Sequence, residues 1–115
     1  MKLIKVVAQN EIKNDALDLV FFNRTELNPI LKIYGKMVSL GEWRDYNISS
    51  GSSRAVFSVF RRTSETPIYN IVKAPKKYQR NSRYSVVTMD GQIINKGNSL
   101  EKVLRIFNRR LLKLV

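Results

Sequence analysis

The side chains that most often carry chemistry at neutral pH are missing from this chain. It contains no histidine and no cysteine. That removes the commonest general base and zinc ligand, and with it thiolate chemistry, thiolate metal sites and disulfides. Nine carboxylates remain. Asp15 and Asp18 are three residues apart, as are Glu42 and Asp45, but no base, nucleophile or metal ligand stands near either pair at a recognisable spacing. The five glycines fall singly at turns, so no glycine-rich loop cradles a phosphate. The sequence reads as non-enzymatic, with no cofactor and no metal.

What the chain does have is positive charge. Twenty-one Lys and Arg against nine Asp and Glu give a net charge of +12. Residues 1–53 carry seven cations and six acids, a net of +1. Residues 54–115 carry fourteen cations against Glu65, Asp90 and Glu101, a net of +11. Such asymmetry suits a face that meets a polyanion; the blander reading is that it only keeps the chain dissolved. The first cationic group is Lys73, Lys76, Lys77, Arg80 and Arg83, with Tyr78 among them. Lys and Arg neutralise phosphates and release counterions, and an aromatic ring between them can stack on an unpaired base. Against this stands a solvated loop. The second group is Lys102, Arg105, Arg109 and Lys113 at i, i+3, i+7 and i+11, with Arg110 nearby, a stripe that fits a phosphate backbone or a groove. It equally fits the polar face of an amphipathic helix, although no acid follows Glu101 to balance it. Arg61 and Arg62 are secondary candidates, with an ion pair to Glu65 as the plainer role. Trp43, the single tryptophan, reads as core rather than as a stacking platform.

The elements that would hold these groups are legible from spacing. Residues 1–15 have no clean period and read as a poorly ordered or edge-strand lead-in; residues 16–115 read as one domain. Ala16–Phe22 has the composition of a strand. A helix follows, capped by Asn23 with Glu26 in a capping box, by Thr25, or by Asn28 with Pro29 in the first turn. Leu27, Ile30, Leu31, Tyr34 and Val38 form its apolar stripe, leaving Lys32 and Lys36 off it. Gly41 is a left-handed terminator. Tyr46–Ile48 begins a strand that turns at Ser49–Ser53. Arg54–Arg62 is apolar on both faces in its middle and predicts a central strand covered on both sides. Ile68–Val72 is its antiparallel partner. Tyr84–Met89 and Gln92–Asn95 form a hairpin about Asp90-Gly91. Asn98 with Glu101 opens the last helix, whose stripe is Leu100, Val103, Leu104, Phe107, Leu111 and Leu114. The fold expected is α+β: one helix, an antiparallel meander of four to five strands, and a C-terminal helix packed on one face.

Phe22-Asn-Arg-Thr-Glu-Leu-Asn-Pro-Ile-Leu31, Ile33-Tyr-Gly-Lys-Met-Val38, Gly41-Glu-Trp-Arg-Asp-Tyr46, Arg54-Ala-Val-Phe-Ser-Val-Phe-Arg-Arg-Thr-Ser-Glu65 and Tyr84-Ser-Val-Val87 together resemble a family of small uncharacterised alphaproteobacterial proteins, a domain of unknown function. The resemblance runs from about residue 20 to the end. It implies a bacterial cytosolic setting and carries no activity, cofactor or binding residue. In architecture alone, a meander followed by a helix with a basic surface is similar to small single-strand-binding transcriptional coactivators that dimerise.

The expectation is therefore a non-enzymatic nucleic-acid-binding protein, using the basic loop and the basic helix face on DNA or RNA. The alternative is a protein-interaction or assembly module for an acidic partner, and a homodimer fits either. No stretch reaches the ~18–20 apolar residues of a membrane span, so no membrane contact is expected. With no cysteine used and no secretory leader in the short run broken by Lys5, a cytoplasmic location is expected.

Overall fold

The computed structural model describes residues 19–62, 66–76 and 82–114, with side chains up to Arg109 in the last helix. Helix α1 spans Arg24–Ser39 and is followed by strands β1 (Asp45–Ser50), β2 (Ala55–Phe60), β3 (Tyr69–Lys73), β4 (Tyr84–Thr88) and β5 (Ile93–Gly97), and then by helix α2 (Leu100–Leu114). The strands form one antiparallel sheet in the order β1-β2-β3-β4-β5. The α+β meander expected from the sequence is the fold observed.

Local chemistry explains where the helices begin and end. Asn23 Oδ1 accepts the Glu26 N–H at 3.0 Å while Glu26 Oε1 accepts the Asn23 N–H at 2.8 Å, a reciprocal capping box that satisfies two otherwise orphaned donors. Of the three caps open from sequence, Asn23 is the one used. Pro29 therefore lies inside the helix, which leaves the Thr25 carbonyl without its usual donor. At the other end Gly41 adopts φ 77°. Its N–H donates to the Val38 carbonyl and the Glu42 N–H to the Met37 carbonyl, both at 2.9 Å, which is the Schellman pattern. Helix α2 starts one residue later than expected. Ser99 Oγ accepts the Lys102 N–H at 3.4 Å, and Asn98 instead accepts the Arg83 N–H at 3.1 Å.

Both helices pack on one face of the sheet, around Phe57, Val59, Ile71 and Val86, which meet Ile30, Ile33 and Met37 of α1 and Val103, Leu104 and Phe107 of α2. Trp43 is buried between the layers, its ring centroid 5.1 Å from Phe107 and 6.2 Å from both Tyr34 and Tyr69. The core reading of this ring holds.

Three expectations need correction. β2 is the second strand and not the central one, because β3 takes the middle place. Only its Ala55–Phe57–Val59 face is buried; Val56, Ser58 and Phe60 are half-exposed, because among the described residues both helices lie on the other side. The stripe of α1 is rotated: Glu26, Ile30, Ile33 and Met37 point inward while Leu31 and Val38 are exposed. Finally, residues 19–22 do not form a strand, and Val20 makes a single bridge to Gly51. The lead-in at 1–15 and the start of the proposed strand at 16–18 lie outside the described residues.

Candidate nucleic-acid interface

Lys73 was a candidate phosphate contact, and the structure turns it inward. It ends β3 on the same face as Ile71, and its side chain is 8% exposed. Its Nζ donates to Glu26 Oε1 and to the Phe21 carbonyl, both at 2.8 Å. Tyr84, which pairs with Lys73 across the β3–β4 ladder, donates its hydroxyl to Glu26 Oε2. Burial pushes the Glu26 carboxyl up, but the hydrogen bonds from Lys73, Tyr84 and Asn23 together outweigh it and hold the group below the usual range. Burial pushes the Tyr84 hydroxyl up, and donation to Glu26 adds to the effect, so at neutral pH it is the phenol that donates. The trio is a clasp. One carboxylate on the first turn of α1 grips both ends of the 74–83 segment.

The remaining cations of that segment divide. Lys76 is exposed, while Lys77, Tyr78 and Arg80 lie outside the described residues. Arg83 is partly buried, and its N–H bond to Asn98 brings the end of the basic segment against the start of α2. Arg83, the last cation of the first group, thus stands beside the start of the helix that carries the second.

On α2 the described part of the stripe is where its spacing placed it, while the side chains of Arg110, Leu111 and Leu114 lie outside the described residues. Leu100, Val103, Leu104 and Phe107 are buried, and Lys102, Arg105 and Arg109 are exposed on the other side. The helix continues through Lys113, whose side chain is not described. Two further cations were missed. Lys32 and Lys36 of α1 line a shallow groove against α2 together with Pro29, Ile33, Glu101, Leu104 and Asn108. Their i, i+4 spacing put them on one flank of α1, but only the packing of the helices shows that this flank faces α2. The outer surface of the helix layer therefore presents Lys32, Lys36, Lys102, Arg105 and Arg109, all exposed. Arg61 and Arg62 are exposed just past β2, and their expected partner Glu65 lies outside the described residues.

A family model described as "Protein of unknown function (DUF2794)" matches residues 20–104. The chain belongs to the DUF2794 family. The DUF2794 match takes in the capping box, the meander and all three members of the clasp, and it stops short of Arg105 and Arg109. No curated protein and no solved structure matches the chain significantly.

Proposed function

We propose that this protein binds nucleic acid, DNA or RNA, without catalysing a reaction on it, through the basic outer surface of its helix layer. The observation that carries the reading is the exposed row Lys102, Arg105 and Arg109 on a helix whose single acid is Glu101, flanked by Lys32 and Lys36 from the neighbouring helix. Cations held on two packed helices need little further ordering to meet a row of phosphates, whereas a solvated helix face ordinarily mixes both signs. Arg83 extends this surface at the start of α2, and Lys76 is a further exposed cation past β3. An alphaproteobacterial, cytoplasmic setting belongs to the same proposal, supported by the motif resemblance and the cysteine-free composition.

Anisotropy titrations of labelled single- and double-stranded oligonucleotides test it. If the five helix-layer cations each neutralise one duplex phosphate, log K falls with log salt at a slope of about −4.5, a loss of several hundredfold between roughly 50 and 200 mM salt. Absence of salt-sensitive binding at micromolar protein sinks the reading.

A further inference from the structure

We propose that the chain forms a two-fold dimer through β1, which pairs antiparallel with β1 of a second copy about Asn47. The inference is independent of nucleic-acid binding and rests on an exposed sheet edge.

β1 pairs with β2 along one side. Along the other, among the described residues, only Val20 makes a bridge, its N–H donating to the Gly51 carbonyl at 2.8 Å. The Arg44 N–H donates to the Phe60 carbonyl and the Ile68 N–H to the Val59 carbonyl, so Phe60, Ser58 and Val56 turn their backbone groups to Asp45, Asn47 and Ser49. Because backbone groups alternate sides along a strand, Tyr46 and Ile48 present theirs outward. The Tyr46 N–H bonds to Asp45 Oδ1 at 2.8 Å, a local bond that a second strand would replace, and Asn47 lies midway between the two outward-facing residues. Natural edges are usually defended by lysine, proline or a bulge, and Asp45–Ser50 has none of these.

The flank of this edge is apolar. Tyr46 and Ile48 on β1 and Leu31 and Val38 on α1 are each 37–41% exposed. The rotation of α1 leaves its two residues out of the core, and Tyr46 packs edge-on to Tyr34 of the same helix at 4.9 Å. Among the described residues, seven of the nine exposed large hydrophobics lie before residue 49, in the half of the chain whose net charge is +1. The apolar flank thus lies in the half with little net charge, although Lys32 and Lys36 of the basic surface stand on the same helix as Leu31 and Val38.

The register is self-complementary. A two-fold axis at Asn47 sets Tyr46 opposite Ile48 of the second copy, an aromatic–aliphatic cross-strand pair, and sets Asp45 opposite the second copy's Ser49. An axis at Asp45 would oppose two carboxylates, and one at Ser49 would drive the second strand into the Val20 bridge. Charge repulsion between the remaining basic surfaces opposes association, so added salt strengthens the dimer, whereas it weakens phosphate binding.

Single cysteines in this cysteine-free chain read the register. In N47C the two Cα atoms lie about 4.5 Å apart in a non-hydrogen-bonded pair, within the ~4.4–6.8 Å that a disulfide spans. In S49C they are separated by about four residues, roughly 13 Å. The expected result is a covalent dimer from oxidised N47C and none from S49C. Sedimentation of the unmodified chain between about 5 and 200 µM should show a dimer that grows with concentration and with salt. Ile48→Lys should weaken it at least tenfold, about 1.4 kcal/mol, with the circular dichroism unchanged. A monomer at every concentration and salt, equal crosslinking by both cysteines, or a dimer indifferent to Ile48→Lys overturns the proposal.

Discussion

Glu26 shows how one residue can serve two structures at once. Its carboxylate closes the capping box of α1 and receives Lys73 and Tyr84. Glu26→Ala is expected to destabilise the fold by about 3–5 kcal/mol, because it strands a buried ammonium. Lys73→Met should cost clearly less, since Glu26 keeps Tyr84 and the Asn23 N–H; chemical denaturation of the two variants gives the comparison. The folded-state carboxyl of Glu26 is held below its unfolded value. Its contribution is therefore fully present above the unfolded value, near ~4.3, and is lost as pH falls through the folded one. Acid titration of stability should show a fall below about pH 4.5 that Glu26→Ala flattens. Glu26 was legible in the sequence as a capping partner. Its ion pair was not, because Lys73 lies 47 residues away and was grouped with the cations that follow it. The strand period held a clue: Lys73 shares a face with Ile71 and Tyr69, so a core face at Ile71 turns Lys73 inward.

At the scale of elements, strongly periodic stretches and the turns at Gly41 and Gly91 read correctly; helix orientation did not, and Gly35, expected at a turn, lies inside α1. The described part of the α2 stripe and Gly41 fell where expected, and so did the Asp90-Gly91 hairpin, with Gly91 at φ 89°. The α1 stripe was misplaced because Leu31 and Val38 look more apolar than Glu26 and Met37, although the latter pair points inward. Hydropathy cannot register that a glutamate is buried once its partners are bonded to it. The basic face of α2 makes a separate prediction. Arg105→Ala and Arg109→Ala should each reduce the salt slope of duplex binding by about 0.9. Both side chains are exposed, so thermal unfolding should move little, as is usual for surface substitutions. A loss of binding with no change in slope would mean that these arginines do not meet phosphates.

In the whole molecule, net charge is concentrated in the second half of the chain and most of the described exposed apolar side chains lie in the first, and this was partly readable beforehand. The net of +11 in residues 54–115 is a sequence fact, but the exposed apolar shoulder beside β1 depends on how α1 is turned. A net charge of +12 also repels itself within one folded copy. Raising salt from very low to physiological strength should therefore raise the melting temperature of dilute protein. The rise should be a few degrees, equivalent to roughly 1 kcal/mol or less at this size. Calorimetry at low protein concentration separates this effect from association.

The position of Trp43 has a spectroscopic consequence. The chain has one indole, 3% exposed and set edge-on against Phe107 of α2. Its emission belongs to a dry site and shifts to the red only when water reaches that seam. The native protein thus carries its own optical gauge of whether the C-terminal helix stays seated on the sheet. The basic surface can be loaded with nucleic acid, or the edge strand paired, while that single signal is watched.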